Sequence, residues 1–142
     1  TPAPLCAALA VHIADEALTG FLAVYNPTVV ALRARLGFWP MPTFEFRDWL
    51  TGLVLGILLL VALSPFAFRN VRWIRPLFYF CAIGIGMNAL AHLLASLAGQ
   101  TVSTVQFARP APGFYSSPLM LIASIYALQQ LRRTRHLGAA VR

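Results

Sequence analysis

Apolar residues run through this chain in four long blocks, bounded by arginine, proline or acidic residues. A helix rises about 1.5 Å per residue and needs about 20 mostly apolar residues to cross the hydrocarbon of a bilayer. Residues 4–24, 49–68, 76–98 and 113–131 meet or approach that length, which predicts four transmembrane helices. The second block lies between Asp48 and Arg69 and holds no charge. The third opens at Pro76, a residue suited to a first helical turn. The fourth has two readable starts. Ser117-Pro118 reads as an N-cap followed by proline, whereas Pro112-Gly113 lets the helix open earlier; a start at Pro118 leaves a short span, so the block is taken from Gly113.

The connections add one more element. Asn26-Pro27 is expected to end the first span, because a residue before proline resists the helical region. Residues 28–38 then mix apolar side chains with Arg33 and Arg35, the pattern of a short helix lying among lipid headgroups. Trp39-Pro40-Met41-Pro42 breaks it and returns the chain to the bilayer. Trp39, Trp49 and Trp73 all fall near expected span boundaries, where aromatic belts form. The fold expected is an all-α integral membrane protein: one domain over residues 1–142, four transmembrane helices in a bundle, and an interfacial helix between the first two.

Composition agrees with this and narrows the partners. Of 142 residues, 59% are hydrophobic and 11% charged, against about 45–50% and about 25% in ordinary soluble chains. With a mean hydropathy of +0.73, this excludes a disordered segment and argues against a water-soluble enzyme. The net charge of +7 comes from eleven arginines, no lysine and four acids. The arginines flank apolar blocks instead of forming a stripe, so the expected partners are membrane lipids and not nucleic acid. Arg69, Arg72, Arg75, Arg132, Arg133, Arg135 and Arg142 fall on one side of the four-span topology and Arg33, Arg35, Arg47 and Arg109 on the other. The richer side is expected to be cytoplasmic, with both termini on it. The chain begins at Thr1, so a preceding segment is expected; the first block lacks a cationic lead and does not read as a cleavable signal. Cys6 and Cys81 sit in apolar runs and suit neither a disulfide framework nor a metal knuckle.

One feature points to chemistry. Asp15 and Glu16 fall near the middle of the first block, with His12 one turn before Glu16. A central acidic residue costs about 2.5–3.5 kcal/mol in hydrocarbon, so the pair must face protein, water or a cation. On the third block Asn88 and His92 are again four residues apart, and Gly84 and Ser96 extend the row into a small or polar stripe. Such stripes face other helices. The first and third spans run in the same direction, so the two polar pairs are expected to meet inside the bundle.

The segment His12-Ile13-Ala14-Asp15-Glu16 resembles the signature of the HXXEE family, small bacterial and archaeal membrane proteins named for a His-x-x-Glu-Glu motif on the first span. Asn88-Ala89-Leu90-Ala91-His92 and Pro112-Gly113 are similar to that family's Asn/His-bearing third span and Pro-Gly turn. Asp15 departs from the pattern, being one methylene shorter than Glu. The resemblance implies the membrane architecture and a bacterial inner-membrane location, and no particular activity.

Four functional readings follow. In the first, His12, Glu16 and His92, with Asp15 or Asn88 as a further ligand, hold a divalent metal such as zinc or iron and act on a lipophilic small molecule. In the second, Glu16 and Asp15 serve as acid and base without metal, sharing a proton with a histidine one turn away in an isomerase-type reaction. The third is a proton or ion pathway through the same residues, which calls for a homo-oligomer. The fourth is a polar cluster that only fastens two helices together. Elsewhere, His136 and the arginine-rich tail read as interfacial groups, Tyr115 and Tyr126 as belt or packing residues, and Arg109 as an interfacial cation.

Overall fold

A computed structural model of the protein describes residues 3–68, 71 and 73–140, with side chains through residue 133 other than 67 and 68. The elements are α1 (Ala3–Thr19), α2 (Phe21–Leu36), α3 (Phe46–Phe68), α4 (Ile74–Ala98), β1 (Gln100–Val102), β2 (Val105–Gln106) and α5 (Ser117–Ala140). Among the described residues, Phe46–Phe66 and Ile74–Ala98 are each long and apolar enough to cross a membrane. The α1–α2 pair adds a third candidate only if taken together, across a bend of 84°.

That bend corrects the expected first span. The helix does not run through residues 4–24 to stop at Asn26-Pro27; it stops at Thr19, and Gly20 takes a left-handed conformation with φ 75°. Glycine adopts positive φ without a Cβ clash, so the chain turns there. Pro27 lies inside α2, where Thr28 Oγ1 donates to the Val24 carbonyl at 2.7 Å. Asn26 does not end a helix either. Its amide clamps the returning loop by donating to Phe44 O (2.9 Å) and accepting from Phe44 N (3.0 Å). The interfacial helix expected over 28–38 is therefore the second half of a longer helix that starts at Phe21 and ends at the left-handed Gly37.

The core is a junction of α1, α4 and α5 built from small side chains. Leu5 and Ala8 of α1 meet Ala82 of α4 and Ala123 and Ala127 of α5. The buried positions of α4 include Ile74, Phe78, Ala82, Ala89, His92 and Ser96, spaced at three, four and seven residues, so one stripe faces inward. Small residues let helices approach closely, which replaces the hydrophobic driving force that lipid removes. At Gly86 an added Cβ would stand 3.3 Å from Ser124 Cβ, marking the tightest glycine approach between α4 and α5. By contrast, only 6% of the apolar stretch of α3 is buried, and that helix lies outside the junction against α1 and α4. Trp49 is an exception on it. At 7% exposure it packs against Phe21 instead of facing outward, whereas Trp73 is 68% exposed.

Between α4 and α5 the chain forms a short antiparallel hairpin, pairing Gln100 with Gln106 and Val102 with Val105. Arg109 donates to the Ala98 carbonyl (3.2 Å) and so caps α4. The fourth block also needs correction. Residues 113–116 form a turn and α5 begins at Ser117, with Pro118 in its first turn as the N-cap reading had it. From Ser117 to the first arginine, Arg132, the helix offers about 22 Å of uncharged length, short of the roughly 30 Å of hydrocarbon. Of the arginines in the orientation argument, Arg69, Arg72 and Arg142 lie outside the described residues, as do the side chains of Arg135 and His136.

Gly86→Leu forces a side chain into Ser124 and is expected to destabilise the protein by about 1–3 kcal/mol. Gly56→Leu, whose Cβ meets nothing within 4 Å, is expected to leave stability intact. Thermal unfolding in detergent compares the two; equal curves would mean that α4 and α5 do not meet at Gly86.

Candidate metal centre

The inward stripe of α1 is Leu5, Ala8, His12, Ile13 and Glu16, so helical spacing alone turns His12 and Glu16 to the core one turn apart. The stripe of α4 brings His92 to the same depth. All three are buried, at 1%, 4% and 7% exposure. His92 Nε2 lies 2.9 Å from Glu16 Oε1, and His12 Nε2 lies 3.4 Å from the same oxygen. The imidazole rings meet edge to face with centroids 4.8 Å apart. One ligand atom from each residue falls within 4.8 Å of the others.

Hydrogen bonds fix which nitrogen of His12 carries the proton. Ser116 Oγ has one hydrogen and donates it to Asp15 Oδ2 at 2.7 Å, while Ser116 N donates to the same oxygen at 2.8 Å. His12 Nδ1, 2.8 Å from Ser116 Oγ, must then be the donor in that contact. Its Nε2 is left as a lone pair and accepts from Asn88 Nδ2 at 3.1 Å. In that tautomer the lone pair faces the Glu16 carboxylate 3.4 Å away, acceptor against acceptor, and a cation between them, a proton on Nε2 or a metal ion, would pair them.

A turn covering residues 111–116 closes the site from one side. Ser96 Oγ accepts from Ala111 N (2.9 Å) and donates to the His92 carbonyl (2.8 Å). Thr19 Oγ1 accepts from Gly113 N (3.1 Å) and donates to the Asp15 carbonyl (2.6 Å). Thus three backbone N–H groups of the turn are taken by side chains of α1 and α4. Gly113 sits directly over the cluster with φ 79°. A Cβ there would stand 3.0 Å from Glu16 Cγ, His12 Cε1 and His92 Cε1 at once.

Sequence reasoning had placed His12, Glu16 and His92 together, and they converge. Asn88 reaches the cluster through His12, and Asp15 does so only through Ser116; neither supplies one of the three converging atoms. The stripe 84/88/92/96 divides. His92 and Ser96 are buried, whereas Gly84 and Asn88 line a cavity of about 570 Å³. Glu16 lines the same cavity, whose other walls include Leu9, Phe21, Phe44, Trp49, Leu53 and Phe80. Phe21, whose ring is 5.6 Å from that of His92, forms the wall beside the cluster. Thr19 and Ser116 were missed. The sequence signal for them is faint: a hydroxyl four residues after an acid, and a second serine before the N-cap of α5.

Two imidazoles and one carboxylate are the donor set of many catalytic zinc and non-haem iron sites, which keep a position open. Zinc bonds of about 2.0–2.1 Å place tetrahedral ligand atoms about 3.3 Å apart, close to the 2.9 and 3.4 Å from Glu16 to the two histidines, while the full spread of 4.8 Å means the ligands would close up by as much as about 1.5 Å around a metal. His12 also has the usual support of a metal-bound histidine, its second nitrogen donating to a group backed by a carboxylate. No known protein family, no curated protein and no solved structure matches the chain.

Gly113→Ala places a methyl at positive φ against three buried side chains. The expected loss is about 2–5 kcal/mol, combining backbone strain with overpacking. Thermal unfolding in detergent measures it; a variant as stable as wild type would show that the turn does not cover the cluster.

Proposed function

We propose that this protein is a membrane-embedded enzyme that uses His12, Glu16 and His92 to hold a divalent metal, zinc or iron, and acts on a lipophilic small molecule. The observation that carries the reading is the convergence of the three ligand atoms around a His12 lone pair, on the edge of an apolar cavity. When bound, the metal supplies Lewis-acid polarisation or an activated water. The residues of the chain do the rest. Asp15 and Ser116 hold the His12 tautomer, Asn88 occupies the His12 Nε2 lone pair that a metal would take in its place, and Glu16 presents its carboxylate to the cavity.

The membrane arrangement proposed with this activity has four crossings. α1 crosses as the first, and α2, turned by 84°, lies along the headgroups with Arg33 and Arg35 exposed. α3 and α4 are the next two. α5 completes the fourth together with the 111–116 turn, whose N–H groups at Ala111, Gly113 and Ser116 are satisfied by protein side chains, as backbone at membrane depth requires. Both termini are then cytoplasmic in a bacterial inner membrane, and membrane lipids are the surrounding partner. The resemblance of His12–Glu16 to the HXXEE signature accords with this arrangement.

Metal analysis of the purified protein tests the reading. One zinc or iron per chain is expected in wild type and none in His12→Ala, His92→Ala or Glu16→Gln. Ser116→Ala is expected to weaken metal binding about 10–100-fold by releasing the His12 tautomer. A metal-free wild type, also unable to take up zinc or iron added in solution, overturns the proposal. The His92–Glu16 pair would then stand as a proton-sharing couple at 2.9 Å.

A further inference from the structure

The cavity beside the cluster has a direction. Its far walls come from Leu60 of α3 and Phe80 and Cys81 of α4, and its near end is lined by Glu16, Asp48 and Asn88. From Trp49 to Leu60 the α3 wall runs about 16 Å. Two helical glycines, Gly52 and Gly84, leave room for a groove here. A Cβ added at Gly52 or Gly84 would meet nothing within 4 Å, so α3 and α4 stay apart where the α4–α5 pair closes up. Gly52 and Gly84 face the groove from opposite sides, whereas Gly56 does not line it.

The polar end is acidic. Glu16 and Asp48 both line it, and among the described residues no arginine or histidine does. Glu16 is balanced by His12 and His92, or by a metal they would hold with it, so the charge that an anionic head, carboxylate or phosphate, would face is that of Asp48, whereas a hydroxyl can donate to either carboxylate. We propose that the groove between α3 and α4 binds a single-chain, long-chain alcohol that enters from the bilayer, with its hydroxyl at Glu16 and Asn88 and its chain along Leu53, Leu60 and Phe80. This deepens the functional reading above and rests on it for the role of Glu16; the site would act on the alcohol-bearing carbon end of the chain.

Trp49 reports on the groove because it lines the cavity and is shielded from the outside at 7% exposure. The experiment uses full-length protein carrying Trp39→Phe and Trp73→Phe, in an unbrominated detergent. A long-chain primary alcohol brominated at mid-chain is titrated in, and Trp49 quenching is followed. Saturable quenching is expected. Gly84→Phe, and independently Gly52→Leu from the opposite wall, are expected to weaken it at least tenfold, and Gly56→Leu to leave it unchanged. The corresponding brominated fatty acid at neutral pH is expected to bind at least tenfold more weakly than the alcohol. Thermal unfolding of each variant establishes that it is folded. Non-saturable quenching, or quenching untouched by both groove-filling changes in folded protein, overturns the groove site. Equal binding of the fatty acid overturns the assignment of the head group. Metal content measured on the same samples keeps the two proposals apart: saturable quenching in metal-free protein sinks only the metal reading, and metal-loaded protein without saturable quenching sinks only this one.

Discussion

The carboxylate of Glu16 is the constraint around which this protein is arranged. It lies 4% exposed within a bundle whose buried hydrophobic positions are mostly alanine and other aliphatic residues. An ionised carboxylate removed from water without a partner costs several kcal/mol, well beyond what one packing contact returns. Its compensation comes from His12, one turn back on the same helix, and from His92 across the bundle. Helix α1 therefore cannot slide or rotate against α4 without stripping that charge of its partners, and the register of the two helices is set by the pair.

The turn over residues 111–116 solves the companion problem of irregular backbone inside a bundle. Pro110 and Pro112 carry no N–H, which removes two donors at the outset. The N–H groups of Ala111, Gly113 and Ser116 are accepted by Ser96, Thr19 and Asp15. Two of those acceptors, Ser96 and Thr19, also donate to backbone carbonyls of the helices that carry the cluster, His92 O and Asp15 O. The same side chains thus pin the turn and stiffen the site. With the turn closing this side of the cluster, Glu16 lines the cavity on the other.

How much of this was legible in the sequence depends on the range of the interaction. The i, i+4 pairs His12/Glu16 and Asn88/His92 are local, so helical periodicity alone put each on one face, and the cost of buried charge implied that the faces meet. The Ser117-Pro118 start of α5 was also readable from local chemistry. Gly20 was not. A glycine inside an apolar run is tolerated in many helices, and only the packing of Phe21 against Trp49 and His92 shows why the chain turns there and not at Pro27. The hydroxyls of Thr19, Ser96 and Ser116 were illegible as a set, because their partners lie 15 to 104 residues away.

The two adjacent acids make the same point about direction. Successive residues on a helix are separated by about 100° around its axis, so Asp15 and Glu16 cannot face one target. Glu16 points between α1 and α4 and meets the histidines; Asp15 points to the turn and takes two bonds from Ser116. Read as a block of charge, the pair looks like two ligands for one ion. Read as directions, it is one ligand and one support, joined through Ser116 and His12. A side chain one methylene shorter than glutamate suits the supporting position, where the partner is a backbone N–H and a hydroxyl on a turn that packs directly on α1. Removing the Asp15 charge would thus reach the cluster only through the His12 tautomer, whereas removing that of Glu16 would empty its centre.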